Sequence, residues 1–256
     1  MLSQYFRGCL GALDGTHIPA HVPEARRNAY RNHKSQLSQN VLAACDFNLK
    51  FIYVLPGMEG SAADSWVLED AKSNDFIIRE GHYYLGDAGY PNSASLLVPY
   101  HNTRYHLKEW GHSRGRHKCA SARVFIYLLL IILFTSPQNH RELFNFRHAQ
   151  LRNHIERIFG LFKRRYRVLL LAPEYPLTVQ AQLVPALAVL HNFIRIHDPS
   201  DLPSEDDDPY LEAYDYGDDG DEPQNPTEHR DAGTRFRDEM AQNMWREYKD
   251  NNYRNA

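Results

Sequence analysis

The pattern of apolar and polar positions predicts three strands at the start of the chain. Residues 10–22 begin as a short strand, break at Asp14-Gly15 and resume with alternating apolar positions. Residues 39–47 and 50–55 are two further apolar runs joined by a short polar turn, which is typical of a hairpin. The chain is therefore expected to open with three consecutive strands.

The elements that follow combine helices with shorter strands. Residues 64–72 predict a helix with Asp64 as its N-cap. Residues 82–91 predict a fourth strand that ends in a Gly-Asp-x-Gly-Tyr turn, where the glycines let the backbone approach a bound ion or phosphate closely. Residues 96–100 add a short fifth strand. This mixture of strands and helices indicates an α/β domain.

A long amphipathic helix is predicted over residues 141–166, with a break near Phe146. Residues 179–196 predict a second, apolar helix that Pro185 kinks. At helical spacing, one face of the long helix carries a stripe expected to be buried, formed by Leu151, Ile155, Ile158, Phe162 and Tyr166.

Charge is distributed unevenly along the chain. Residues 1–200 hold 23 basic and 15 acidic side chains, hence a net charge of +8, whereas residues 201–222 hold 11 acidic side chains and no basic one. The basic body is compatible with a nucleic-acid partner. We expect residues 198–230 to form a disordered acidic linker. Residues 231–250 predict a terminal amphipathic helix, which is either a docking helix or a weakly packed terminus.

The cysteines and the apolar runs indicate the cellular compartment in which the protein is expected. Cys9, Cys45 and Cys119 lie far apart and form no Cys-x-x-Cys pair, which indicates a reduced intracellular compartment and argues against a zinc ribbon. Residues 1–11 lack the apolar run of a signal peptide. The longest apolar run, residues 124–134, is shorter than the roughly 20 residues of a membrane-spanning helix, so no membrane association is expected.

Residues 111–115 match Gly-x-Ser-x-Gly, the nucleophile elbow of hydrolases, with Ser113 as the serine. Such an elbow must follow a buried strand, but residues 105–110 are polar and charged. No suitable Asp and His follow outside the acidic tail to complete a triad. A serine hydrolase is therefore the weakest of the alternatives.

Three carboxylates occupy informative positions: Asp14 in the first strand, Asp87 at the end of the fourth and Glu156 in the long helix. Taken alone, each has an ordinary structural explanation, a turn aspartate for the first two and a solvated pair with Arg152 for the third. Taken in this order, they match the layout of a ribonuclease H-like mixed sheet flanked by helices. Carboxylates that converge at one end of a sheet can hold two Mg²⁺ or Mn²⁺ ions for phosphodiester cleavage.

Basic side chains near these acids are candidates for contact with nucleic-acid phosphates. A basic loop or a solvated helix face would explain the same residues. The five candidates are Arg31, Lys34, Arg152, Lys163 and Arg164.

A series of motifs in fixed order resembles the PIF/Harbinger transposases and their domesticated relatives, the Harbinger transposase-derived nucleases. The resemblance covers roughly residues 5–197, and the terminal stretch 237–245 is similar to the tail helix of some members. The motifs are residues 11–17 (GALDGTH), 38–42 (SQNVL), 60–65 (GSAADS), 86–90 (GDAGY), 105–107 (YHL), 142–145 (ELFN) and 153–157 (NHIER).

This resemblance implies a DDE triad that binds divalent metal, and the triad falls on Asp14, Asp87 and Glu156. It implies a DDE transposase/nuclease domain over residues 1–197 that cleaves DNA and transfers strands in the nucleus. It also implies a Myb-like or SANT-type partner protein that supplies much of the DNA binding. Asp64 lies in a shared motif but is better explained as a helix cap.

Three features depart from the family pattern. The chain starts almost at the first catalytic strand, where family members carry a helix-turn-helix region, so independent DNA recognition is not expected. Residues 117–136 intervene between two motifs, and we interpret them as a non-family insertion. The basic loop at 30–35 also differs from the family type. These departures keep open a second hypothesis, a domesticated or degenerate copy that acts as a non-catalytic DNA- or protein-binding module.

Overall fold

A five-stranded mixed sheet lies at the centre of the structure, a computed structural model. The strand order is β3-β2-β1-β4-β5, with β1 antiparallel to β2 and parallel to β4. The predicted ribonuclease H-like fold, a mixed α/β sheet flanked by helices, is confirmed. The strands are β1 (Cys9–Pro19), β2 (Ser38–Cys45), β3 (Phe51–Glu59), β4 (Tyr83–Leu85) and β5 (Leu96–Leu97).

The structure describes residues 5–103, 137–198, 200 and 227–254, with side chains for 232–251 in the last range. The predicted insertion at 117–136, the Gly-x-Ser-x-Gly stretch and most of the acidic linker lie outside the described residues.

The first strand is continuous, so the predicted break at Asp14-Gly15 is wrong. Asp14 pairs with Ala43 and Gly15 pairs with Leu42 in an unbroken antiparallel register. Continuous antiparallel pairing with β2 overrides the local turn preference of Asp-Gly. The fourth and fifth strands are shorter than predicted, and Asp87 lies two residues beyond the end of β4.

Within the described residues, four α-helices accompany the sheet. The long helix α2 runs unbroken through Phe146, where the sequence predicts a break. Its N-cap is Asn139, whose side chain accepts hydrogen bonds from the backbone N–H groups of Arg141 and Glu142, each at 3.0 Å. The helices are α1 (Asp64–Asn74), α2 (His140–Arg165), α3 (Leu177–His197) and α4 (Thr227–Arg254).

The two faces of the sheet bury separate apolar clusters. All eight residues of β2 are buried, because helices cover both sides of this strand. On one side, α1 packs on alternate strand residues such as Leu13 and Leu42. On the other, α2 packs on Ala12 and Val41 through its apolar stripe. The predicted stripe is confirmed for its four residues within the helix, Leu151, Ile155, Ile158 and Phe162.

Helix α3 is long and apolar enough by composition to cross a membrane, which the sequence reasoning missed. Two polar side chains of this helix form hydrogen bonds with the backbone at the start of β3. Asn192 exchanges two hydrogen bonds of 2.8 Å with the backbone of Phe51 on β3, and His191 Nε2 lies 3.0 Å from the carbonyl oxygen of Leu49. These contacts fix α3 across the edge strand of the sheet.

The terminal helix α4 packs on its own chain, which matches neither of the two roles predicted for it. Met240, Ala241 and Met244 are buried against the core. The Tyr100 hydroxyl donates to Asp238 Oδ1 at 2.6 Å, which ties α4 to the segment after β5. The apolar stripe of this helix therefore completes the domain.

His148 on α2 is fully buried, and its Nε2 lies 2.9 Å from the carbonyl oxygen of Leu97. Burial lowers the pKa of His148 to about 4. Because the folded-state pKa lies below the unfolded value, this group stabilises the fold above pH 6.5 and that contribution is lost as the pH falls toward 4. The loss amounts to about 3 kcal/mol.

We expect His148→Gln to reduce this acid sensitivity. Urea unfolding of the parent and the variant at pH 7 and pH 4.5 checks it, with the difference between the two pH values smaller in the variant. An equal pH dependence in both proteins would contradict the assignment.

Candidate active site

The first predicted acid, Asp14, lies on the central strand β1. Its Oδ1 accepts a hydrogen bond from the backbone N–H of Gly15 at 2.8 Å, and its side chain is 19% exposed. The other oxygen, Oδ2, lies 3.3 Å from Nη1 of Arg152 on α2. The first strand and the long helix thus meet at this carboxylate.

Glu156 lies one helical turn after Arg152, and Arg152 Nη2 donates to Glu156 Oε1. The Arg152 side chain is 6% exposed and that of Glu156 is 12% exposed. The sequence offers this pair as an ordinary solvated helix face, and that interpretation is wrong because the pair is buried. A single guanidinium therefore bridges the first and third predicted acids.

Asp87 follows β4, the parallel neighbour of β1. The last pair of this register is Ala12 with Leu85, two residues before Asp14 and Asp87 respectively, and the Asp87 charge acts on Asp14. Asp87 Oδ1 accepts from the backbone N–H of Ala88 at 2.6 Å. Asp14 on β1 and Asp87 in the segment after β4 therefore lie near the point where β4 ends.

A fourth acid, Asp64, joins this group, and its predicted role as an N-cap is wrong. The residue before the helix is Ala63, and no side chain caps the first turn. Asp64 Oδ1 instead accepts a hydrogen bond of 2.6 Å from Asn40 Nδ2 on β2. A Cβ placed on Gly15 would lie 2.3 Å from Asp64 Oδ1, so this carboxylate rests directly on the residue after Asp14.

The charges of these acids act on one another. The pKa of Asp14 is raised well above its usual range, first by burial and then by the charges of Asp87, Asp64 and Glu156, while Arg152 opposes the shift. Burial also raises the pKa of Tyr90, and Asp64, Asp14 and Asp87 raise it further. Tyr90 therefore lies near these acids, although nothing in its sequence context marks it beyond the Gly-Asp-x-Gly-Tyr turn.

A family model described as DDE superfamily endonuclease matches residues 13–192. The chain belongs to the DDE superfamily endonuclease family. It is a transposase-like nuclease domain, and DNA is the substrate that this family suggests. The matched range contains all four acids of the site. No curated protein and no solved structure matches the chain significantly.

The donor set of this DDE endonuclease fits a hard divalent cation. Carboxylate oxygens are the ligands that Mg²⁺ and Mn²⁺ prefer. The Tyr90 hydroxyl is buried beside them and has no hydrogen-bond partner among the described residues. In the described ranges no three His, Cys, Asp or Glu side chains are placed to hold an ion as they stand. Arg152 contacts both Asp14 and Glu156, so a cation that binds both must displace the guanidinium.

The predicted phosphate contacts of the DDE endonuclease fall into two groups. Arg152 is buried as described, and Lys163 Nζ donates to Thr16 Oγ1 at 2.7 Å and to the carbonyl oxygen of His17 at 3.0 Å. Burial lowers the pKa of Lys163 to about 8. Arg31 and Lys34 lie on an exposed loop, and Arg164 is half-buried at the end of α2. Contact with phosphate stays a prediction for all five.

Gly15 permits the close approach of Asp64, and a larger residue would disturb the site. We expect Gly15→Ala to destabilise the DDE endonuclease by about 1–3 kcal/mol, the usual cost of overpacking a well-packed region. The added Cβ would overlap the Asp64 carboxylate, which Asn40 holds in place.

Urea unfolding measures the effect of Gly15→Ala. Gly89→Ala is the matched control, because a Cβ at Gly89 meets nothing within 4 Å. Equal stability of the two variants would show that Asp64 moves away freely.

Proposed function

We propose that the protein is a metal-dependent DNA endonuclease of transposase origin, with Asp14, Asp87 and Glu156 as its catalytic triad and its ligands for two Mg²⁺ or Mn²⁺ ions. The observation that supports it most directly is the convergence of the three acids. Asp14 lies on β1, Asp87 follows its parallel neighbour β4, and Glu156 is linked to Asp14 through one shared guanidinium. Family membership supplies the reaction class.

Different residues of the chain have different roles in the proposed cleavage. The divalent cations, when bound, supply the Lewis acidity that stabilises charge on the phosphodiester oxygens. Asp14 and Asp87 would hold cations at the edge of the sheet, and Glu156 would close the site from the helix. Strands and a packed helix carry these acids, so their relative positions are fixed before substrate arrives.

Arg152 has two roles in this proposal. Before metal binds, its guanidinium neutralises Asp14 and Glu156 and allows two carboxylates to be buried close together. With divalent metal bound, the same guanidinium would be available to contact the phosphate of the DNA backbone. This sequence of contacts accounts for a basic residue one helical turn before the catalytic glutamate.

The proposal also includes the evolutionary origin of the protein, its partner protein and its location in the cell. The series of motifs supports a PIF/Harbinger origin, with action in the nucleus beside a Myb-like or SANT-type DNA-binding partner. The exposed Arg31 and Lys34 would add contacts to phosphate.

A plasmid-nicking assay tests the cleavage. We expect the full chain to convert supercoiled DNA to the open-circular form in Mn²⁺ and to leave it intact in EDTA. A protein that Mn²⁺ stabilises against thermal unfolding but that leaves DNA intact would support the non-catalytic, DNA- or protein-binding alternative. A folded protein with neither response would overturn metal-dependent function altogether.

A further inference from the structure

Helix α3 presents a row of apolar side chains to solvent. The largest exposures are those of Val189, Phe193 and Ile196, which are 70%, 57% and 60% exposed. Exposed apolar residues that are scattered singly need no explanation, whereas a contiguous row of them marks a surface that another molecule covers. The row therefore indicates an interaction surface.

The row follows a heptad repeat, with its positions separated alternately by three and by four residues. All six positions are exposed, and none carries a charged side chain. We call them the α3 seam: Val179, Gln182, Ala186, Val189, Phe193 and Ile196. Pro185, the proline within α3, lies outside the seam. This spacing is that of a coiled coil, in which one helix packs along another, so the expected occupant is an α-helix.

The opposite face of α3 is fixed to the domain by polar contacts near both ends of the helix. Gln180 Oε1 accepts from the backbone N–H of His21 at 3.0 Å, and Gln180 Nε2 donates to the His21 carbonyl oxygen at 2.9 Å. Near the other end, His191 and Asn192 form the hydrogen bonds to the start of β3 described above. Rotation of α3 about its axis would break these bonds, so the seam stays on the surface.

The α3 seam is complementary to itself when two copies of the helix run antiparallel. A pair centred midway along the seam places a larger side chain opposite a smaller one at every level. The opposed residues are Val179 with Ile196, Gln182 with Phe193, and Ala186 with Val189. A parallel pair would instead place Phe193 against Phe193 and Gln182 against Gln182. A self-complementary, uncharged surface is what a twofold contact between identical chains requires.

We propose that α3 is a homodimer interface, on which α3 of a second copy lies antiparallel along the α3 seam. A helix of 21 residues is about 30 Å long, so this contact alone buries less than the roughly 1,600 Å² of a standard interface. Leu171 and Tyr175, both more than half exposed, extend the apolar surface just before α3. We therefore expect a reversible dimer with a Kd in the micromolar range.

Sedimentation velocity of the full chain without DNA, over about 1 to 200 µM, tests the dimer. The parent should change from monomer to dimer as its concentration rises. Val189→Glu should weaken this association at least about tenfold, because it places an unpaired charge in the centre of an apolar contact. Ile77→Glu is the matched control, since it puts the same charge at an apolar residue outside α3 that is 82% exposed, and it should dimerise like the parent.

A mixture of two variants tests the antiparallel arrangement. Ala186→Lys alone should also weaken the dimer, but an equal mixture with Val189→Glu should restore it, because the antiparallel pair brings the two opposite charges to one level. Thermal unfolding of each variant confirms that it is folded. A mixture as monomeric as its separate components would overturn the antiparallel pairing.

Two other results would overturn the interface itself. One is a Val189→Glu protein that dimerises like the parent. The other is a parent that stays monomeric at every concentration, and flotation of that monomer with phosphatidylcholine vesicles would assign the α3 seam to lipid instead.

Discussion

The Asp87→Asn variant is expected to lose Mn²⁺-dependent nicking of supercoiled DNA by about 10³-fold or more. Metal-ion catalysis supplies several kcal/mol of transition-state stabilisation, and about 4 kcal/mol corresponds to this factor. Asp87 follows β4 and its charge acts on Asp14, so in the proposed site the substitution removes one anionic ligand. Asparagine keeps the size of the side chain and an oxygen that can accept from the N–H of Ala88, so the fold should be retained.

Gel quantification of open-circular DNA over time measures this loss. The matched control is Glu80→Gln, which neutralises an exposed acid before the same strand and should nick at the parental rate. Thermal unfolding of both variants without metal confirms that they are folded. An Asp87→Asn protein that is folded and nicks like the control would remove Asp87 from the triad.

The Arg152→Gln variant is expected to destabilise the metal-free protein by about 3–5 kcal/mol, the cost of breaking a buried ion pair from one side. The side chain is 6% exposed and contacts Asp14 and Glu156, so its loss leaves two partly buried carboxylates without their shared cation. For a chain of this size, the melting temperature should fall by about 10 °C.

Binding of Mn²⁺ should restore much of the stability that the Arg152→Gln variant loses. If Mn²⁺ takes the place of the guanidinium between Asp14 and Glu156, it stabilises the variant more than the parent, since no guanidinium must be displaced. Differential scanning calorimetry with and without Mn²⁺ measures both effects. Arg167→Gln, at an exposed position just after α2, is the control and should change stability by no more than about 0.5 kcal/mol. A metal-free Arg152→Gln protein as stable as this control would show that Arg152 is not the counter-ion of the site.

Local patterns of apolar and polar residues predicted much of the fold. The strands β1, β2 and β3 follow from alternating apolar positions, and the buried face of α2 follows from apolar residues at helical spacing. The predictions that failed are those in which a neighbouring element overrides a local preference. Asp14-Gly15 favours a turn in isolation, but pairing with β2 keeps β1 extended through it.

The four acids show the same difference between what local sequence signals predict and what contacts between distant residues decide. Asp14, Asp87 and Glu156 could be predicted because each stands at a recognisable position in the order of strands, helix and motifs, and their role as a triad stays a prediction. Asp64 was assigned to the wrong role because its partner, Asn40, is 24 residues away and lies on another strand. Its position near the start of a helix is the only local signal, and that signal suits a cap.

The sequence by itself determined the α/β class, the main strands, the long helix and three candidate acids, because these depend on periodicity and residue type along short stretches. Only the tertiary structure decided that Arg152 is a buried bridge, that Asp64 and Tyr90 lie near the acids and that the terminal helix packs on its own domain. Arg152 and Asp14 are 138 residues apart. Such contacts arise when the sheet and helices pack, and the desolvation and pairing of charges that follow depend on distances in space.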